Sequence, residues 1–140
     1  MKTCIFATLF LMSFNLIIGQ AEESKIRKTI NYYIEGTSYN NPEMIQQAFY
    51  EEADLFLSHK DKPIWIVPIK KYASGFAKRE KGKFNGRKGK VLSVDIENDI
   101  ATAKAEILIP DHEMRFIDIF LLKKIEDKWL IISKAATRTN

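Results

Sequence analysis

The chain has 140 residues, 46% hydrophobic and 29% charged, an ordinary balance for one globular domain. Its formal charge of +4 is a mild surplus that does not point to nucleic acid. Its only cysteine, Cys4, leaves no possibility of a disulfide or a cysteine metal site.

The first 21 residues read as a secretory signal peptide rather than as part of a fold. Lys2 gives a short basic start, residues 5–18 are an apolar run broken only by Thr8, Ser13 and Asn15, and Gly19-Gln20-Ala21 supplies small residues before Glu22-Glu23. The run falls short of the ~20 apolar residues of a comfortable bilayer span, so an uncleaved anchor is the lesser alternative. Cleavage after Gly19 and after Ala21 both fit. The expected product is a secreted or periplasmic domain, residues 22–140, without cysteine, held together by its core and free of the membrane. Losing Lys2, with no acid in the segment, leaves a charge of +3.

Residues 24–35 carry Ile26, Ile30, Tyr33 and Ile34 at helical spacing, with Ser24 as a cap and Gly36 placed for a left-handed terminus. Asn41-Pro42-Glu43 opens a second helix, its amides capped by Asn41, with Met44, Ile45, Ala48 and Phe49 as the buried stripe and an end near residues 50–52. Residues 54–59 and 64–67 predict two short strands about Lys60-Asp61-Lys62-Pro63. A third helix is expected over 69–79, weakened by Gly75.

Residues 80–90 form a basic, glycine-rich stretch, read as a solvated connection with an anion or polysaccharide contact as its functional alternative. It lacks the spacing of a phosphate-binding P-loop. Residues 91–97 then alternate with Leu92, Val94 and Ile96 inward, and residues 100–109 with Ala101, Ala103, Ala105, Ile107 and Ile109 on one face. That alanine row leaves room under a helix or for a ligand. After the turn at Pro110-Asp111-His112-Glu113, residues 116–125 and 129–133 make a hairpin about Glu126-Asp127-Lys128, apolar on nearly every residue. Both its faces therefore need cover, one from helices and one from a partner subunit.

Helices first and a long sheet last argue for an α+β cone, three N-terminal helices packed on a curved antiparallel sheet. Tyr32-Tyr33-Ile34-Glu35-Gly36, then Asn41-Pro42-Glu43-Met44-Ile45 leading to Ala48-Phe49, is similar to the opening of NTF2-like proteins of the "putative lumazine-binding" group. Phe116-Ile117-Asp118-Ile119-Phe120-Leu121-Leu122-Lys123-Lys124 and Lys128-Trp129-Leu130-Ile131-Ile132-Ser133-Lys134 resemble the last hairpin of the same group, except that Glu126-Asp127 stands where that hairpin has glycine, leaving the turn type open. The resemblance covers essentially all of residues 22–140. It implies a cone-shaped α+β fold, a homodimer paired through the sheets, and relatives that range from isomerase-, cyclase- and dehydratase-like enzymes to proteins that only bind. Fold alone does not choose among these.

A pocket in such a cone draws on Tyr33, Phe49, Phe56, Trp65, Tyr72 and Phe76, with His59, Asp118 and Lys134 as polar groups. Helical aromatics also serve as plain core. Asp118 shares its strand face with Phe116, Phe120 and Leu122, where it could act as a general acid or base. Equally, Ile117, Ile119 and Leu121 could be the inner face, with Asp118 outside and paired to Lys134 or Arg115. His59 and His112 lack metal-ligand spacing, and no cofactor signature is present. No Gly-x-Ser-x-Gly element supports nucleophilic hydrolysis. The first reading is a non-catalytic module that binds a small apolar or aromatic molecule. The rival is an enzyme of the ketosteroid-isomerase, dehydratase or cyclase kind using Asp118 or His59 as general acid or base, with Tyr33 or Tyr72 as hydrogen-bond donor.

Overall fold

A computed structural model describes the backbone of residues 3–139 and the side chains of residues 18–139. The described elements run α1 (Thr3–Ser38), α2 (Pro42–Gln47), β1 (Phe49–Leu57), β2 (Trp65–Pro68), α3 (Ile69–Ser74), β3 (Lys88–Glu97), β4 (Ile100–Ile109), β5 (Met114–Ile125) and β6 (Lys128–Arg138). The strands form one curved sheet in the order β2-β1-β6-β5-β4-β3. The fold is α+β, but two features of the expected layout are corrected. The early hairpin joins the sheet, and it does so through a parallel pairing of β1 with β6, so six strands are present and they are not all antiparallel. The cause is the length of β6, which runs to Arg138 rather than stopping at Ser133 and would otherwise offer a bare edge that β1 covers. The third helix follows that hairpin, as expected, so two helices rather than three precede the sheet.

Helix α1 does not begin at Ser24, nor does it end at Gly36. No proline interrupts the chain ahead of Ser24, and Ala21-Glu22-Glu23 favour helix, so the helix runs through. Gly36 stays helical, and its lack of a side chain serves packing instead. A Cβ there would stand 2.8 Å from both the backbone nitrogen and the Cγ1 of Ile45 on α2. Asn40 takes the left-handed position, with φ 54°. Asn41 caps α2 as expected, its side chain accepting the Met44 N–H at 3.1 Å. The helix stops at Gln47, well before residues 50–52, because the chain from Phe49 is taken into the sheet beside β6.

Two bulges decide which side chains face inward. In β3 the pairing slips between Val91 and Ser93, so Leu92 is turned outward and 41% exposed, while Val91, Val94 and Ile96 pack on the core. In β6, Leu121 opposes Ser133 while the next residue, Leu122, opposes Ile131, leaving Ile132 over. An extra residue inverts strand facing. Trp129 and Ile131 are buried on one side of the slip and Lys134 on the other.

On β4, Ala101, Ala103 and Ala105 oppose Leu122, Phe120 and Asp118 of β5. The alanines are buried in one cluster with Ile26, Ile30 and Tyr33, so the space they leave is filled by α1. The other face of the same strands exposes Ile100, Ile119 and Leu121. The final reversal places Glu126 and Asp127 at φ 47° and 63°, both left-handed, as a two-residue turn of the I′ kind requires.

Candidate functional site: a cavity beside a buried ion pair

Asp118 lies in the middle of β5 on the inner face, 1% exposed, and Lys134 lies beside it on β6, 2% exposed. Lys134 Nζ donates to Asp118 Oδ2 at 2.8 Å, and Tyr33 Oη on α1 donates to the same oxygen at 2.8 Å. The question of which way Asp118 faces is thus answered: it points inward, and Arg115 pairs instead with Glu106 at 2.7 Å. Burial, followed by the Asp118 carboxylate, holds the Tyr33 phenol well above its ordinary pKa, so it remains a proton donor.

Arg87 closes the network from the segment before β3. Its Nη2 donates to Tyr33 Oη at 2.9 Å. Burial pulls the guanidinium pKa down, but Tyr33, Tyr72 and Asp118 outweigh it and the net direction is upward. Its Nε is buried with no hydrogen-bond partner. The chain is delivered there by Asn85, whose Nδ2 donates to Thr37 O and to Asn40 Oδ1 at 2.7 Å each, while its Oδ1 accepts the Arg87 N–H at 3.0 Å. Asn40 in turn donates to Glu80 O and Lys83 O at 3.1 and 2.9 Å. The basic, glycine-rich stretch is therefore stapled to the end of α1, and its last residues, Lys88 to Lys90, already belong to β3.

A cavity of about 210 Å³ opens on these groups, walled by Leu57, Trp65, Ile109, Phe116 and Ala136, with Ser58, Tyr72, Arg87, Asp118 and Lys134 as its polar lining. Of the residues expected to form a pocket, Trp65, Tyr72, Asp118 and Lys134 are brought together here. Tyr33 is wholly buried behind them, in edge contact with Phe49 at 5.8 Å and Phe120 at 5.5 Å. Phe49 is core rather than wall. Phe56 alternates with Leu55 and Leu57 and so sits on the opposite face of β1 from the cavity. Phe76 packs on Tyr72 at 5.5 Å and lines a neighbouring hollow of about 280 Å³. His59 stays on the surface, its ring edge-on to Trp65 at 5.7 Å and its Nδ1 accepting the Asp61 N–H at 3.1 Å. It is not brought to Asp118, because the strand ends at Leu57 and the turn carries the histidine outward.

Sequence reasoning missed Arg87. Nothing in a run of lysines and glycines distinguishes it; the one available signal was Asn85, a residue able to staple a loop two positions ahead. Among the described residues no group of three or more histidine, cysteine or carboxylate side chains could hold a metal ion.

A curved sheet with one long helix laid in its hollow and a cavity at one end defines an NTF2-like protein. The structure superposes on an NTF2-like protein of unknown function from Shewanella baltica OS155 with a TM-score of 0.75 and 23% identity, covering 86% of this chain and 95% of that one. A similar protein from Silicibacter pomeroyi DSS-3 gives 0.75 at 16% identity, covering 86% and 98%. One from Methylobacillus flagellatus KT gives 0.74 at 23% identity, covering 86% and 94%. At these identities the likeness speaks for the fold alone. Residues 21–135 match the family described as "Putative lumazine-binding", and the chain belongs to that family. Among curated proteins, none matches this chain.

Proposed function

We propose that this chain is an exported, non-catalytic NTF2-like protein that holds a small apolar or aromatic molecule in the cavity beside Asp118 and Lys134. The observation that carries this reading is a cavity with mostly apolar walls and a few convergent polar groups, the usual composition of a small-molecule site. Against catalysis stands the use already made of Asp118: one oxygen accepts from both Tyr33 and Lys134, and His59 is too far outside to relay a proton. Export is supported by the layout of residues 1–21, and pairing of two copies through the sheet by the exposed Ile100, Ile119 and Leu121 on its outer face. The family name alone does not make the ligand a lumazine.

The test is native mass spectrometry on protein purified from the organism that makes it. A retained small mass, a doubled protein mass, and a chain beginning at Gln20 or Glu22 are the expected results. A protein that arrives empty, and stays empty when exposed to small aromatic compounds, would remove the container reading. A single specific observation favours the enzyme reading, namely that Asp118 lines the cavity. An Asp118→Asn variant separates the two, as argued below.

A further inference from the structure

The charges around the cavity do not cancel. Lys134 and Arg87 are cationic, Asp118 is the one acid among the described lining residues, and Ser58 and Tyr72 are neutral. Asp118 is bonded directly to Lys134, at 2.8 Å, whereas Arg87 reaches it only through the Tyr33 hydroxyl. A buried charge is ordinarily kept only where an opposite charge answers it. Arg87 must share Asp118 with Lys134 and touches no lining carboxylate directly, and its Nε–H is a buried donor with no acceptor. Leaving a donor in that state costs free energy, more when it is charged. Yet the segment is built to hold the arginine there, through the three hydrogen bonds of Asn85.

We infer that the cavity recognises a small organic monoanion, a carboxylate on an apolar or aromatic body, with Arg87 and Lys134 taking the carboxylate and Trp65, Phe116 and Ile109 covering the body. This rests on the container reading above and narrows it to a ligand class. A guanidinium fork matches a carboxylate in geometry, and Lys134 has donors beyond the one given to Asp118. The surplus is a single positive charge, which a monoanion neutralises and a phosphate dianion would exceed. The volume of about 210 Å³ equals roughly seven liquid-water volumes, enough for a one-ring acid.

Matched pairs test the inference on the protein as purified from its host. Benzoate with benzamide, phenylacetate with phenylacetamide, and phenyl phosphate are titrated by calorimetry at neutral pH. Each acid is expected to bind about tenfold or more tighter than its amide, the difference a charge-assisted hydrogen bond supplies. The preference is expected to shrink in Arg87→Met, acid binding falling more than amide binding, and to persist in part in Arg87→Lys. Should acid and amide bind equally, the anion inference falls and the container reading stands. If neither member of any pair binds, both fall. Phenyl phosphate binding tenfold tighter than benzoate would overturn the carboxylate class. Should the Arg87 variants fail to fold, the matched pairs on the unaltered protein still decide.

Discussion

Two of the ties that hold helix α1 to the β5–β6 hairpin each run through a single acid. At one end Asp118 takes Tyr33 and Lys134; at the other Glu22 takes the Trp129 Nε1–H at 2.7 Å and Lys124 at 3.0 Å. The connections look alike, but their settings differ. Asp118 and Lys134 are almost wholly withdrawn from water, whereas Glu22 and Lys124 remain 18% and 26% exposed at the side chain. Removing two charges from water costs about as much as their attraction returns, so the inner tie is a poor way to gain stability, while the outer one is an ordinary, modest brace. The inner tie also borders a cavity and sits beside Arg87, whose Nε–H has no acceptor; among the described residues no other buried side-chain polar atom is left so. The costly arrangement lies where a ligand is expected, and the cheap one lies where only the helix must be held.

The largest effect is expected from breaking the inner tie. Asp118→Asn leaves Lys134 and Arg87 both without a counter-charge in a buried setting, and stability should fall by about 3 kcal/mol in urea unfolding. Replacing the pair together, Asp118→Leu with Lys134→Met, should restore most of that loss, because neither charge is then stranded. If Asp118→Asn folds with unchanged stability and instead abolishes a turnover, the carboxylate is a catalytic base rather than the counter-charge of a buried pair.

A second prediction concerns the helix that both ties share. Gly36→Ala would normally favour a helix by about 1 kcal/mol. Here the added methyl would stand 2.8 Å from a backbone nitrogen, which cannot step aside as a flexible side chain can. A net loss of roughly 2 kcal/mol is expected in thermal or urea unfolding, as overpacking forces α1 and α2 apart. A stabilised Gly36→Ala would mean that α2 yields freely and does not fix α1.

Local elements were legible in the sequence, the inner tie only in fragments and the outer tie not at all. Asn41-Pro42, the alternation from Ile100 to Ile109 and the reversal at Glu126-Asp127 each carry their local cause, and each element stands close to where it is expected. Asp118 could not be assigned a face, because β5 is apolar on both sides and only the covering of one side by α1 breaks that symmetry. Lys134 turns inward through a bulge whose extra residue, Ile132, looks like any other strand residue. Arg87 is placed by contacts with Thr37 and Asn40, some fifty residues away, which no local pattern encodes. Non-local packing hides what local periodicity cannot express.

The smallest effect separates the two ties by pH. Lys25 first, then Trp129 and Lys124, hold the Glu22 carboxyl down from 4.5 to about 2. A lowered carboxyl pKa contributes stability that is complete above the unfolded value and is lost as pH falls through the folded one. The brace should therefore be whole above about pH 5 and disappear between 4.5 and 2. Discounted for exposure to solvent, it is worth about 1 kcal/mol. Glu22→Gln keeps an acceptor for Trp129 but has no charge to lose. It should lower stability at neutral pH by that amount and converge with the unaltered protein by pH 2, with Trp129 fluorescence reporting the change. If the two proteins instead differ equally at all pH values, the contribution of Glu22 is packing rather than charge. The outer tie would then be indifferent to pH, and the contrast between the two ends would rest on burial alone.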